Sequence, residues 1–194
     1  MKKEIIFATS NSDKAKEIGK LLPDWTVYSL KDLNFHEEIP EEQDTLEGNA
    51  EQKAQYVWDR FGKACFADDT GLEVRALNGR PGVYSARYAG ENCSYRDNVN
   101  KMLEEMKGKE DRQARFRTSI CLILSEEEKH YFDGISNGEI LREIRGDGGF
   151  GYDPIFLPEG EQQSFAEMSL DRKNAISHRG RAVKQLSEFL RLID

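Results

Sequence analysis

The chain has 194 residues, of which 38% are hydrophobic and 33% are charged, and its formal net charge is −8. This length and apolar content suffice for one substantial domain or for two small lobes. The acidic balance argues against a protein that coats nucleic acid, because such proteins neutralise phosphates with Lys and Arg. We therefore expect no nucleic-acid partner, and an anionic ligand would have to be bound by local cations and a metal.

The N-terminal apolar run and the cysteines indicate the compartment. Only residues 5–8 are apolar before polar residues return, which is too short for a signal peptide or a membrane span. Cys65, Cys93 and Cys121 are odd in number and far apart, with no Cys-x-x-Cys pair. We expect reduced thiols, at least two of them buried, in a cytoplasmic protein without membrane contact.

Strand and helix patterns alternate in the first part of the chain. Residues 3–8 form a predicted strand, and Ser12 is the predicted N-cap of a helix with apolar residues at helical spacing. A second helix is predicted to begin after Thr45 and to end at Gly62. A short buried strand is predicted to follow it over residues 64–67.

Strand patterns dominate the middle of the chain. A helix that Ser94 caps is predicted to end at Gly108, and alternating apolar residues predict a strand over 113–124. Two more strands, over 131–135 and 139–144, and a final helix over 179–193 complete the predicted elements. This order predicts an α/β protein with a mixed sheet and flanking helices. No linker, repeat or low-complexity segment divides the chain, so two lobes would have to be woven from one chain.

Adjacent carboxylates, Asp68 and Asp69, stand between a short apolar run and Thr70-Gly71. At a strand end such a pair can hold a divalent cation, since Mg²⁺ usually takes one or two carboxylates beside a phosphate-bearing substrate. A structural turn is the alternative, because Asp-Asp before Thr-Gly is also good turn chemistry. The acidic segment 37–42 would ordinarily be a solvated loop, but it could supply a second metal-binding carboxylate.

The junction between the first strand and the first helix, residues 9–14, has small polar side chains and a lysine. Free backbone N–H groups at a helix N-terminus favour anions, so this segment could cradle phosphates. It lacks glycine, and an ordinary capped turn is the alternative. Lys53, inside the predicted second helix, has a surface position as its simpler interpretation.

Two further segments have the composition of a binding site. Residues 146–154 contain four glycines and two aromatic residues, which let the backbone approach a ligand while a flat ring stacks on it. We favour a base-binding loop over a flexible linker here. Residues 173–179 concentrate hydrogen-bond donors at the start of the final helix. The alternative for them is a helix cap with surface charge.

Together these segments resemble the inosine/xanthosine triphosphate pyrophosphatase family. The similar motifs occur in the family's order over nearly the whole chain: Thr9-x-Asn11-x-x-Lys14, Glu47-x-Asn49-Ala50-x-x-Lys53-Ala54, Ala67-Asp68-Asp69-Thr70-Gly71-Leu72, Pro81-Gly82-Val83-Tyr84-Ser85-Ala86-Arg87, Gly148-Gly149-Phe150-Gly151-Tyr152-Asp153-Pro154, Phe165-Ala166-Glu167-Met168 and Ser177-His178-Arg179. Two positions depart from the family's pattern. Many bacterial relatives have glycine at Ser10, and the position of Gly48 is often acidic.

The resemblance implies a Mg²⁺-dependent hydrolase that converts ITP, dITP and XTP to the nucleoside monophosphate and pyrophosphate and so cleanses the nucleotide pool. It also implies one domain over residues 1–194, with an elongated mixed sheet and two lobes around a central nucleotide cleft, and a homodimer. A metal-dependent phosphatase acting on another phosphoester and a nucleotide-binding protein without catalysis are the alternatives.

The resemblance also implies roles for individual residues. Asp69 is expected to bind Mg²⁺ and to accept a proton from the attacking water, with Glu41 as the likeliest second carboxylate and Asp68 as an accessory ligand. Phe150 is expected to stack on the base, and Arg179 to help recognise the purine 6-carbonyl. The other predicted substrate contacts are Thr9, Ser10, Asn11, Ser12, Asp13, Lys14, Lys53, Thr70, Gly151, Tyr152, Asp153, Lys173 and His178.

Overall fold

A computed structural model describes residues 3–193, which form a mixed α/β fold. The strands are β1 (Lys3–Phe7), β2 (Trp25–Ser29), β3 (Cys65–Val74), β4 (Pro81–Gly82), β5 (Gln113–Ser125), β6 (Glu128–Ile140) and β7 (Phe156–Pro158). The helices are α1 (Ser12–Leu21), α2 (Leu46–Phe61), α3 (Tyr95–Glu105), α4 (Leu170–Ile176) and α5 (His178–Leu192). Short 3-10 turns connect several of them.

The strands belong to one sheet with the order β2-β1-β3-β5-β6-β7, and β4 pairs with β3. β1 runs parallel to β2 and to β3, whereas the β3–β4 and β6–β7 pairs are antiparallel. In the β1–β3 register, Ile6 pairs with Cys65 and Phe7 with Phe66. This mixed sheet with flanking helices confirms the predicted fold class.

The described chain divides into two compact units, each assembled from separate segments. Unit 1 takes residues 3–69, 118–134 and 179–193, and unit 2 takes residues 70–117 and 135–178. Three strands, β3, β5 and β6, contribute residues to both units. The prediction of one functional domain over residues 1–194 stays a prediction.

Unit 1 buries both faces of its strands. Ile5 and Phe7 belong to one hydrophobic cluster with residues of α1 and α5, whereas Ile6 and Ala8 belong to a second cluster with residues of α2. Successive side chains of a strand point to opposite faces of the sheet. The uninterrupted apolar run of β1 is therefore explained by burial on both sides.

Unit 2 has one hydrophobic core, which α3 covers together with the turns after β3 and β7. Ala114 and Phe116 of β5 point into this core, as their alternating spacing predicts. Phe116 contacts Phe156 edge to face with ring centroids 4.7 Å apart, and Phe165 packs on the same pair.

Most predicted helix starts and ends are confirmed, but α3 ends at Glu105 and not at the predicted Gly108. The Thr45 side chain caps α2 by accepting the N–H of Gly48, and Gly62 ends this helix in the left-handed conformation. Ser94 and Asp97 form the predicted capping box of α3. For α1 the predicted cap is wrong, because Asn11 rather than Ser12 accepts the first backbone N–H groups.

Two strand predictions are wrong in their extent, and several short elements were not predicted. β3 extends to Val74, so Asp68-Asp69-Thr70-Gly71 continues a strand and is not a turn. The two strands predicted over 131–135 and 139–144 are one strand, β6, which ends at Ile140. The polar residues 136–138 between the two predictions belong to it, and Gly138 pairs with Pro158. The short elements β2, β4, β7 and α4 were not predicted from the sequence.

None of the helices between residues 3 and 193 has the length and the apolar content that crossing a membrane requires.

Candidate functional site

The predicted site residues gather in two clusters, one within each unit. The carboxylate–lysine cluster of unit 1 consists of Lys14, Glu17, Glu41, Asn49, Lys53, Asp68, Asp69 and Arg179. The aromatic cluster of unit 2 consists of Phe116, Phe150, Asp153, Phe165, Lys173 and His178.

β3 places both aspartates of the carboxylate–lysine cluster, and both are buried. The Oδ1 atom of Asp68 lies 3.0 Å from the Lys14 ammonium, and its Oδ2 atom lies 3.1 Å from Nε of Arg179. Neighbouring strand residues point to opposite sides, so Asp69 has a different set of partners. It accepts a hydrogen bond of 3.0 Å from the Asn49 side chain.

α2 supplies the cation for Asp69. Lys53 and Asn49 are four residues apart and therefore lie on the same helix face. The Lys53 ammonium lies 3.6 Å from Asp69 and also pairs with Glu41. Lys53 is buried, so the surface position considered from the sequence is wrong. Glu41 keeps about a third of its side chain exposed, at 35%.

α1 and the segment before it supply Lys14. The N–H groups of Asp13 and Lys14 donate to the Asn11 side chain, and the N–H of Asn11 donates to Thr9. These three N–H groups are therefore bonded within the turn, and the Lys14 ammonium lies 3.0 Å from Asp68. The role of this segment in phosphate binding stays a prediction.

α5 begins at the residue before Arg179, whose guanidinium is almost fully buried, with 2% exposure. It donates to Glu17 at 2.6 Å and to Asp68 at 3.1 Å. Two carboxylates thus fix the plane of the guanidinium. Contact with a purine carbonyl, which the resemblance implies, would use this fixed group within the charged cluster.

Burial and neighbouring charges shift the titration of the two aspartates in opposite directions. Burial would raise the pKa of Asp68, but the Lys14 and Arg179 cations outweigh it and hold this pKa far below its usual range. For Asp69 burial dominates over the Lys53 cation, and its pKa is raised. A raised pKa makes Asp69 the better proton acceptor of the two.

The aromatic cluster is organised by a buried ion pair. The Lys173 ammonium, on α4, lies 2.7 Å from Oδ2 of Asp153, and the same oxygen accepts the Phe150 N–H at 2.9 Å. Gly149 has φ of +67°, and a Cβ there would lie 2.2 Å from this oxygen. Only glycine fits at this close approach, so the glycine-rich loop is a packed turn.

Aromatic rings surround this ion pair. The Lys173 ammonium lies 4.7 Å from the ring centroid of Phe150 and 5.8 Å from that of Phe165, within cation–π distance. The His178 ring stacks on Phe116 at 4.5 Å with an angle of 18° between the planes. The cluster therefore combines flat rings with one held cation.

Comparison with known proteins decides the family. The family model described as the Ham1 family matches residues 5–189. The chain belongs to the Ham1 family. This confirms the resemblance that the sequence motifs carry.

Ham1 relatives cover almost the full chain. A dITP/XTP pyrophosphatase of Flavobacterium psychrophilum is 50% identical over 97% of this chain and 99% of its own length. One from Flavobacterium johnsoniae is 52% identical over 96% of this chain and 97% of its own length. The solved structure of the Staphylococcus aureus Ham1 protein superimposes with a TM-score of 0.89 at 38% identity, over 99% of this chain and 100% of that one.

The remaining predicted Ham1 site residues differ in how accessible they are. Ser10 and Ser12 are exposed, and Thr70 and Gly151 are half-buried. Tyr152 is buried, and its hydroxyl donates to the Ser85 carbonyl at 2.7 Å. The predicted role of Tyr152 in substrate binding stays a prediction.

Sequence reasoning did not assign four residues of the two clusters: Glu17, Asn49, Phe116 and Phe165. Asn49 and Phe165 lie in the quoted family motifs, which was the available signal for them. Glu17 lies next to the buried Ile18 in α1 and three residues after Lys14, a weak signal that any surface carboxylate could give.

Glu41 and Asp69 are the carboxylates of the cluster that could bind a divalent metal. Between residues 3 and 193, no three His, Cys, Asp or Glu side chains form a cage that could hold a metal on their own. Glu41 and Asp69 nevertheless share the Lys53 ammonium, and two carboxylates suffice for Mg²⁺ when substrate phosphates complete its ligands. Both oxygens of Asp68 already pair with cations, which disfavours its predicted role as a metal ligand.

Proposed function

We propose that this chain hydrolyses the noncanonical purine nucleotides dITP, XTP and ITP to the nucleoside monophosphate and pyrophosphate, with Mg²⁺ as cofactor. The enzyme class, a nucleoside triphosphate pyrophosphatase, follows from family membership and from relatives about 50% identical over nearly the whole chain. The observation that carries the proposal is the carboxylate–lysine cluster, in which the adjacent, buried side chains of Asp68 and Asp69 both pair with cations.

The charge balance of this cluster supports a role for a divalent cation. Its cations are Lys14, Lys53 and Arg179, and its carboxylates are Glu17, Glu41, Asp68 and Asp69. The carboxylates outnumber the cations, so the cluster alone would not attract a triphosphate. Binding of a divalent cation at Glu41 and Asp69 would reverse this balance, and when bound it would neutralise phosphate charge.

The residues of the chain then have separate tasks. Asp69 accepts the proton of the attacking water, to which its raised pKa suits it. Lys53 and Lys14 stabilise charge on the phosphate oxygens, since catalysis of phosphoryl transfer rests mainly on positioning and charge neutralisation. Asp68 holds Lys14 and Arg179 in place and is a positioning residue.

We assign recognition of the base to the aromatic cluster and to Arg179. Phe150 offers a flat ring for stacking, and its orientation depends on Asp153 and Lys173. Hypoxanthine and xanthine carry a 6-carbonyl acceptor where adenine carries an amino donor. A fixed donor such as the Arg179 guanidinium can therefore discriminate by about 10⁴ when the wrong group leaves it unpaired.

We further propose that the protein is a cytoplasmic homodimer whose partner is the nucleotide substrate and neither nucleic acid nor membrane. The negative net charge supports the absence of nucleic acid among its partners. Light scattering at several concentrations measures the oligomeric state, and a monomer at all of them would contradict the dimer.

A substrate panel tests the proposed function. Purified protein is given dITP, ITP, XTP, GTP or ATP, with Mg²⁺ or with a chelator, and pyrophosphate and phosphate are measured separately. We expect pyrophosphate from the first three nucleotides only when Mg²⁺ is present. Phosphate release from another phosphoester would indicate the phosphatase, and nucleotide binding without turnover would indicate the non-catalytic alternative.

A further inference from the structure

A buried tyrosine connects the glycine-rich loop to β3. Tyr152 is the second aromatic residue of the loop at 146–154, lies in the hydrophobic core of unit 2 and keeps only 4% of its surface exposed. Its hydroxyl donates a 2.7 Å hydrogen bond to the backbone carbonyl of Ser85. A buried hydroxyl that reaches a single defined acceptor fixes the residue that carries it.

Ser85 is itself held at two points. Its Oγ atom accepts the N–H of Leu72 in β3 at 2.9 Å and donates to the carbonyl of Gly82 at 2.6 Å. The segment 82–85 is thereby tied to the strand, and Tyr152 is tied to the segment. On the other side of Tyr152, Asp153 holds the N–H of Phe150.

We propose that Tyr152 is a positioning residue for base binding, which acts through Ser85 to hold the Phe150 loop in the conformation that accepts the nucleobase. This inference rests on the proposed function. The Tyr152 side chain itself lies in the protein core, so we assign it no direct contact with the base. Its effect on the reaction therefore comes entirely from the order that it gives to the loop.

A positioning role has a specific kinetic consequence. When a loop adopts its binding conformation for only part of the time, the apparent dissociation constant rises by the inverse of that fraction. Once the nucleotide is bound the loop is ordered, so the rate of the bound complex is unchanged. Loss of the Tyr152 hydrogen bond should therefore raise KM and leave kcat unaltered.

The test compares Tyr152→Phe with the parent enzyme, using ITP and Mg²⁺. We expect KM to rise about three- to tenfold, the range that corresponds to one neutral buried hydrogen bond, with kcat nearly unchanged. Inorganic tripolyphosphate serves as a competitive inhibitor without a base. Its inhibition constant should stay at the parent value, because the loop is assigned to the base alone.

Tyr28→Phe is the control. Tyr28 lies in β2 of unit 1, and its hydroxyl donates to Glu4 at 3.1 Å. This variant should keep the parent KM. Ser85→Ala removes the hydroxyl that ties Ser85 to Leu72 and Gly82 but keeps the carbonyl that accepts from Tyr152. It should raise KM by less than Tyr152→Phe does. If Tyr152→Phe does not fold, Ser85→Ala still tests the inference.

Each other outcome overturns the inference. A parent KM in both loop variants would mean that the loop needs no anchor. A lower kcat at constant KM would indicate a loss of folded enzyme, and a parallel change for tripolyphosphate would place the effect on the phosphates. If the parent itself releases no pyrophosphate from ITP while it is folded, the proposed function fails, and the role of Tyr152 fails with it.

Discussion

The two clusters use charge in different ways. In the carboxylate–lysine cluster each charged side chain touches at least one opposite charge, and Lys53, Asp68 and Arg179 each touch two. In the aromatic cluster a single ion pair, Lys173 with Asp153, is buried among rings. The first arrangement suits phosphates and a metal, because both are charged and can pair with the charged side chains. The second suits a neutral flat base, and its ion pair serves to hold a loop.

The largest effect is expected at Asp69, where the assigned proton acceptor and metal ligand coincide. Asp69→Asn removes both the charge and the basicity at nearly constant volume, so turnover of ITP should fall by about 10³ or more. Thermal unfolding should show a folded protein. Asp59→Asn is the control, since Asp59 is an exposed residue of α2 whose side chain only accepts from Gln55. Turnover within about tenfold of the parent would remove Asp69 from catalysis.

The next effect is expected at Lys53, which joins Glu41 to Asp69. Lys53→Met keeps the aliphatic stem and deletes the cation, and kcat/KM for ITP should fall by about tenfold to a hundredfold, as expected for a charge-assisted contact. Lys129→Met is the matched control, because Lys129 pairs with Glu51 of α2 at 2.8 Å in the same unit. Equal losses in both variants would mean that Lys53 matters only for the stability of unit 1.

Arg179 tests the division of tasks between the two clusters. It lies in the carboxylate–lysine cluster, but its expected task is base recognition. Arg179→Lys keeps the charge and loses the rigid fork that Glu17 and Asp68 orient. We expect the ratio of kcat/KM for ITP to that for ATP to fall by about ten- to a hundredfold. An equal proportional loss for both nucleotides would assign Arg179 to the phosphates and to Asp68 alone.

Breaking the ion pair of the aromatic cluster should lower the free energy of unfolding. Lys173→Met leaves the Asp153 carboxylate buried and uncompensated, which costs about 3–5 kcal/mol in the free energy of unfolding. Adding Asp153→Asn should recover part of this loss, since the amide oxygen can still accept the Phe150 N–H. Urea unfolding measures both variants. The control is Lys107→Met in an exposed pair with Glu104, which should cost less than about 1 kcal/mol.

An additive loss in the double variant would contradict this account. It would mean that Asp153 stabilises the loop independently of Lys173.

The sequence predicted those elements whose signals are local. The caps of α2 and α3 and the alternation in β5 depend on residues within a few positions of one another, and all three are confirmed. The course of β3 through Asp68-Asp69-Thr70-Gly71 depends on pairing with β1 and β4. Local turn chemistry could not reveal that pairing, so the turn alternative could not be dismissed in advance.

The candidate site was predictable in its members but not in its contacts. Family motifs named most of the charged residues before any geometry was available. The partner of Glu17 is Arg179, 162 positions away in the chain, and Asp68 and Arg179 are 111 positions apart. Such pairs form only when the chain folds, which is why the burial of Lys53 and the engagement of both Asp68 oxygens were not predicted.

The smallest effect concerns the reactivity of the thiols, which should differ between the two units. We expect no change in catalysis from it. Cys65 and Cys121 are fully buried in unit 1, and burial raises the pKa of Cys65 to about 12 and that of Cys121 to about 11. A raised pKa keeps both as neutral thiols at pH 8, and the thiolate is the nucleophile. Cys93, in unit 2, is only half-buried, and none of the three is in a disulfide.

We therefore expect an aromatic disulfide reagent at pH 8 to label Cys93 alone in the folded protein and all three cysteines in urea. Cys93→Ser should abolish labelling of the folded protein and keep the parent turnover of ITP. Rapid labelling of Cys65 or Cys121 without denaturant would mean that unit 1 opens more readily than its packing implies. Such opening would expose the carboxylate–lysine cluster to water, and it would weaken the contrast between a tightly paired charged site and a loop held by anchors.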